Sequence, residues 1–166
     1  MRCAKTCRSV TKASQALGAL ERLYALFRLS PFGAPRIRAV KKEQKHYHLD
    51  WSLIPKDGPR FENLVACHLL KWVHFVQDTI GRDVELRYFR DVDRREVDFV
   101  ITEAGKPIQF VECKWADADV DPALRYLHRK FPKADCWQIS AIGRKDFVTP
   151  DGIRVAPAVR LLSTLT

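Results

Sequence analysis

From Phe61 onward the apolar residues return every three or four positions, through Leu64, Val65, Leu69, Trp72, Val73, Val76 and Ile80. That spacing predicts one long amphipathic helix with a core-facing stripe. Asp57 or Gly58 is placed to cap it, Pro59 suits its first turn, and Gly81 ends it. The period then changes from helical to alternating. Val84–Arg90, Glu96–Thr102 and Ile108–Lys114 read as three successive strands, the last two joined by a turn at Glu103-Ala104-Gly105-Lys106-Pro107. Asp121-Pro122 opens a second helix running through Leu124, Leu127 and Phe131, and Pro132 stops it. Asp135–Ile142 alternates as a further strand. A connection of that length between strands requires a parallel crossover. Val155-Ala156-Pro157 and Val159–Leu165 close the chain as a final strand and a packing tail.

Ahead of the long helix the pattern is weaker. Residues 12–23 have helical spacing through Ala16, Leu20 and Leu23, and Leu23–Leu29 reads as a strand closed by Ser30-Pro31-Phe32-Gly33. Arg36–Lys45 forms a basic connector, and Tyr47–Leu49 a short strand ending at Asp50. A helix and strand followed by a basic turn look like the end of a winged-helix unit whose earlier helices are missing. The expected division is therefore a basic extension over residues 1–50 and an α/β domain over residues 51–166, with the order α-β-β-β-α-β and a mixed sheet flanked by helices.

The two middle strands carry the chemistry. With Thr102 opposite Ile108, the antiparallel register sets Val100 against Phe110, Asp98 against Glu112 and Glu96 against Lys114. Those six positions share one face, while Val97, Phe99, Ile101, Val111 and Cys113 share the other. Two carboxylates facing each other on half-buried strands repel and resist desolvation. A divalent cation between them offsets both effects, and oxygen donors beside a lysine suit Mg²⁺ or Mn²⁺ better than zinc. Glu62 lies in the first turn of the long helix at the edge of its stripe. It either complements the helix dipole or leans toward the pair as a third carboxylate. Gln138 is expected near this face, as a core-edge amide or as a polar site residue. His46 and His48 share a strand face but have no third ligand nearby.

Composition narrows the setting. In 166 residues that are 46% hydrophobic there is room for one substantial core, and no run of about 18 apolar residues offers a membrane span. The basic start lacks the apolar segment of a secretory signal. Five scattered cysteines, Cys3, Cys7, Cys67, Cys113 and Cys136, fit reduced thiols in a cytoplasmic protein. The net charge of +9 is lopsided: residues 1–50 carry 11 Lys and Arg against 3 Asp and Glu, and residues 51–166 carry 18 against 17. A basic arm favours phosphate backbones, with Lys41, Lys42 and Lys45 as the candidate contacts. None of the seven glycines begins a G-x₄-GK[ST] loop, so no ATP site is expected.

Asp98 after Val97, followed by Glu112-Cys113-Lys114 on the adjoining strand, resembles the PD-(D/E)xK nuclease superfamily with its restriction-endonuclease-like fold; Val97 stands where a proline is usual. A wider ordered set is similar to an uncharacterised C-terminal domain fused to many prokaryotic AAA-type ATPases. It comprises Leu20-Glu21-Arg22-Leu23-Tyr24, Phe27-Arg28-Leu29-Ser30-Pro31, Lys45-His46-Tyr47-His48-Leu49-Asp50, Phe61-Glu62-Asn63, Tyr88-Phe89-Arg90, Glu96-Val97-Asp98-Phe99-Val100, Val111-Glu112-Cys113-Lys114, Val155-Ala156-Pro157 and Leu161-Leu162. The family more often has a Gly-containing turn where this chain has Trp51-Ser52-Leu53-Ile54, and the ATPase itself is absent from this sequence.

The resemblance implies a nuclease-like domain working beside an ATPase module on nucleic acid or a protein partner. Two readings follow. In the first, a metal-dependent phosphodiesterase acts on DNA. Asp98, Glu112 and the Cys113 carbonyl hold the ion, Glu62 assists through water or a second ion, and Lys114 positions the attacking water and stabilises charge. In the second, the fold is catalytically silent. Glu112 and Glu96 pair with Lys114, the basic arm does the binding, and the chain is a binding domain or a fragment of a larger ATPase.

Overall fold

The computed structural model describes residues 15–33 and 43–165. Lys41, Lys42, Cys3 and Cys7 lie outside them, as does the start of the first expected helix. Helix α1 occupies residues 15–22. Strands β1 (Leu26–Leu29) and β2 (Lys45–His48) pair antiparallel as a separate two-stranded sheet. Then follow α2 (Asp57–Ile80), β3 (Val84–Arg90), β4 (Glu96–Glu103), β5 (Lys106–Lys114), α3 (Pro122–Lys130), β6 (Asp135–Ser140), β7 (Phe147–Val148), β8 (Arg154–Pro157) and α4 (Ala158–Leu162).

The main sheet runs β3-β4-β5-β6-β8-β7. Its first three strands form an antiparallel meander, β5–β6 and β6–β8 are parallel, and β7 adds an antiparallel edge. The mixed α/β sandwich and the order α-β-β-β-α-β match the sequence expectation. The edge strand β7 was not foreseen: it is two residues long, and both Phe147 and Val148 are exposed, so neither alternation nor burial marks it.

One face of the sheet packs on α2 and α4. Val65, Leu69 and Val73 of α2 meet Phe99, Ile101 and Val111 of the sheet, and Leu29 of β1 and Tyr47 of β2 join the same cluster. The N-terminal hairpin thus packs onto the core rather than standing apart from it. The other face packs on α3, where Leu124 and Leu127 meet Val97, Val100 and Phe110. The stripe on α2 holds from Phe61 to Val76, but Ile80 in the last turn is 63% exposed. Gly81 closes the helix in the left-handed conformation, φ 72°, where a side chain would be strained. The N-terminus differs from the expected cap. Lys56 occupies the cap position without a side-chain bond, Asp57 already belongs to the first turn, and Arg60 reaches back to the Ile54 and Pro55 carbonyls.

Two irregularities shape the β4 region. The turn after β4 contains only Ala104 and Gly105, both at positive φ (47° and 74°), as a two-residue type I′ hairpin requires. Thr102 therefore pairs with Pro107 instead of Ile108, and a bulge at Ile108 restores the expected pairing of Val100 with Phe110. On the other edge of β4, Arg87 pairs with Val100 and Phe89 with Val97, so three steps on β4 oppose two on β3. The surplus residue lies at Asp98-Phe99. Val97 consequently joins the α3-side cluster, against the expectation that it shares a face with Phe99. A bulge of this kind re-aims the side chain it contains.

Candidate active site

Asp98 sits in that bulge, and its carboxylate takes over part of the backbone ladder. The Cys113 N–H donates to Asp98 Oδ2 at 3.0 Å, and the Asp98 N–H donates to Glu112 Oε2 at 3.3 Å. The two acids are locked together at the β4–β5 junction, but each turns to a different lysine. Asp98 faces β2 and α2, where Lys45 Nζ lies 3.3 Å from Oδ1. Glu112 faces the start of α3, where Lys114 Nζ lies 2.9 Å from Oε1 and 2.8 Å from Asp121 Oδ2.

Lys45 is the centre of the first group. Its ammonium stands 2.6 Å from Glu96, 3.3 Å from Glu62 and 3.3 Å from Asp98, with the Tyr88 ring centroid at 5.5 Å. Tyr47, two residues along on the same face of β2, donates its hydroxyl to Glu62 at 2.7 Å. Glu62 thus reaches the carboxylate group, as the helix-edge reading required. The strand is held there by Asn63, which is 2% exposed. Its amide donates to the His48 carbonyl at 2.6 Å and its oxygen accepts the His48 N–H at 2.8 Å.

The second group is built on α3 and β6. Asp121 caps α3 by accepting the Ala123 N–H at 2.8 Å, with Pro122 in the first turn. Gln138 stands beside Glu112 in the parallel ladder and is 2% exposed. It accepts the Asp121 N–H at 2.8 Å and donates to the Ala118 and Asp119 carbonyls. It is the satisfied amide of the sequence reading, and it fixes the loop that presents Asp121 to Lys114.

Two expectations meet a different placement. Glu96 does not pair with Lys114; it pairs with Lys45 and, at 2.7 Å, with Arg90, its ladder partner on β3. Lys45 is not turned outward as a free phosphate contact, since its side chain is only 18% exposed and ends among carboxylates. The Cys113 side chain packs toward the α2-side core with Phe99, Ile101 and Val111, as the alternation predicts, and its backbone N–H donates to Asp98. Tyr47 and Asp121 escaped the sequence reading as site residues, and Lys45 was expected at a phosphate backbone, not among Glu62, Glu96 and Asp98. The alternation of β2 held the signal for two of them, because the strand that sets His46 and His48 on one side sets Lys45 and Tyr47 on the other.

Burial and crowding perturb these groups strongly. Burial first, then the Glu62 charge, push Asp98 up to about 6 although Lys45 opposes the shift. Burial first, then the Asp98 charge, push Glu112 up to about 8 against the pull of Lys114. Burial alone would lower the Lys45 ammonium, but Asp98, Glu62 and Glu96 together raise it above an ordinary lysine. Desolvation is likewise outweighed at Lys114, which Asp121 and Glu112 raise. Burial, then the Asp98 charge, drive the Cys113 thiol well above its usual range, which favours the neutral thiol over the thiolate.

Five carboxylates, Glu62, Glu96, Asp98, Glu112 and Asp121, meet three cations, Lys45, Lys114 and Arg90. When all are ionised, two negative charges remain uncompensated, and Arg90 is also shared with Glu43. That excess, on oxygen donors alone, fits a hard divalent cation in charge and chemistry. Among the described residues, no group of three or more His, Cys, Asp or Glu is arranged as a cation cage, and Lys45 and Lys114 lie against the acids. An open groove of about 600 Å³ leads to Glu62, Glu96 and Lys45, with His46, Pro55 and Pro59 on its walls. No described helix is long and apolar enough to cross a membrane.

The family described as Domain of unknown function (DUF4143) matches residues 57–160, more than half of the chain, and the chain belongs to that family. No curated protein and no solved structure matches.

Proposed function

We propose that this DUF4143 domain is a divalent-metal-dependent, nuclease-like phosphodiesterase acting on DNA, built on a restriction-endonuclease-like core and working beside an AAA-type ATPase module. The observation that carries the proposal is the mutual lock of Asp98 and Glu112 at a β-bulge, with Lys114 on the same face as Glu112 and more carboxylate than cation around them. The ordered motif resemblance supports the ATPase association, and the basic excess in residues 1–50 supports a phosphate-rich partner.

Asp98 and Glu112 would hold Mg²⁺ or Mn²⁺, with the Cys113 carbonyl and Glu62 as further oxygen donors. A bound divalent ion supplies Lewis acidity at the phosphoryl oxygen and lowers the pKa of a ligated water. Lys114 is held between Glu112 and Asp121 and kept cationic by them, so it acts by position and charge, orienting the attacking water and stabilising the phosphorane-like oxygens, not as a general base. Asp121 and Gln138 fix the direction of the ammonium. The test is cleavage of supercoiled DNA in the presence of Mg²⁺ or Mn²⁺. Asp98→Asn is expected to abolish cleavage while retaining the fold, and equal cleavage by parent and variant would contradict the proposal.

A second reading rests on the ion pairs themselves. Lys45 and Lys114 between them contact Glu62, Glu96, Asp98, Glu112 and Asp121. A silent domain that binds DNA or protein through its basic N-terminal segment needs no more than that. DNA binding in that case weakens steeply with salt and survives Asp98→Asn.

A further inference from the structure

The element that supplies Lys45 lies outside the span shared with the family, which begins at residue 57. Strand β2 nonetheless places the ammonium among Glu62, Glu96 and Asp98, two of which are the acids proposed above as cation donors. The contacts are unequal. The pair with Glu96 is tight at 2.6 Å, whereas those with Glu62 and Asp98 are both 3.3 Å, longer than a well-formed charge-assisted bond. Glu96 and Glu62 both stand at the groove, with 30% and 29% of their side chains exposed against 14% for Asp98.

We propose that Lys45 is the resident counter-ion of the Glu62–Asp98 pair and competes with the divalent cation for it, withdrawing onto Glu96 and the groove when the ion enters. This rests on the metal reading of Asp98 and Glu112. The exchange needs no movement of the strand. Tyr47 remains anchored against Phe99 (ring centroids 5.7 Å apart), Asn63 keeps hold of the His48 backbone, and only the flexible lysine stem rotates. Two cations cannot share the same two carboxylates at these distances without strong repulsion. The site therefore has two states: one closed by the protein's own ammonium, and one holding a divalent ion with Lys45 set in the groove.

Two measurements test this on the full chain. In calorimetric titration with Mn²⁺, Lys45→Met is expected to bind at least tenfold more tightly than the parent. Binding seen only in the variant also supports the proposal. Equal or weaker binding overturns it and leaves the metal reading standing, while no binding by either protein overturns both. Removing Lys45 exposes three acids to one another and can itself unfold the chain, so the second measurement uses the unaltered protein. Reductive methylation of lysines, read by mass spectrometry, is expected to modify Lys45 several-fold faster with saturating Mn²⁺ than without it. An unchanged or slower rate at Lys45 overturns the proposal.

Discussion

The backbone N–H of Asp98 donates to the Glu112 carboxylate at 3.3 Å, while the N–H of Cys113, next to Glu112, donates to the Asp98 carboxylate at 3.0 Å. Each acid satisfies a backbone donor beside the other, so the two side chains stay adjacent although their charges repel. The geometry follows from the β4 bulge. A regular strand would bond Cys113 N–H to a main-chain carbonyl and leave Asp98 free to relax away from Glu112.

That enforced proximity makes stability depend on pH. Both acids titrate higher in the folded chain than in the unfolded one, Asp98 near 6 and Glu112 near 8. A raised carboxylate contributes stability that is complete below its unfolded pKa, near 4, and is lost as pH rises through its folded pKa. Without divalent ions, the unfolding free energy is expected to fall between about pH 4 and pH 8, by on the order of a few kcal/mol. Glu112→Gln flattens that decline. Denaturant midpoints measured across the range check it, and a stability that rises toward pH 8 contradicts it.

In the proposed mechanism Lys114 serves the chemistry more than the binding of the ion. Lys114→Met removes the shared cation from Glu112 and Asp121 and is expected to destabilise the fold by roughly 1–3 kcal/mol, since the pair is partly solvated. DNA cleavage should drop at least about a hundredfold, while Mn²⁺ affinity stays equal or rises. A variant that cleaves normally removes Lys114 from the mechanism.

Gln138 supports the site at one remove. Gln138→Leu strands the Asp121 N–H and the Ala118 and Asp119 carbonyls. The expected loss is roughly 1–3 kcal/mol, accompanied by faster amide exchange in the 117–121 loop. Exchange protection unchanged from the parent would show that the loop holds itself.

Asn63 clamps β2 to α2, and with it the presentation of Lys45 and Tyr47. Asn63→Ala removes the side-chain partner of the His48 N–H and carbonyl, leaving the carbonyl to Cys67 Sγ, and is expected to lower stability by about 1 kcal/mol. Limited proteolysis should then cut near residues 43–50 before the main sheet. Cleavage elsewhere first contradicts that order.

The parts of this picture visible in the sequence are those set by short-range pattern. The stripe from Phe61 to Val76 placed α2, alternation placed β3 to β6, and Asp121-Pro122 marked the start of α3. The Val100–Phe110 register was legible because both strands alternate, and it placed Asp98 next to Glu112. The bulges were not. Ala104-Gly105 gives a two-residue turn in place of five, and an extra residue in β4 breaks its alternation without any unusual residue to announce it. Long-range electrostatics was equally hidden. Lys45 and Asp98 are 53 positions apart, so nothing local in a basic connector reveals that its last lysine ends among acids.

The most direct test of the account is a calorimetric titration of the full chain with Mn²⁺ beside Asp98→Asn, because it requires no assumption about substrate. The parent is expected to show a single saturable site, with binding lost or weakened at least about a hundredfold in the variant, consistent with loss of a principal carboxylate donor. Absence of binding by the parent and by Lys45→Met alike, or equal binding by the parent and Asp98→Asn, would contradict a cation site at Asp98 and Glu112 and leave the lysine-satisfied, non-catalytic domain as the reading that stands.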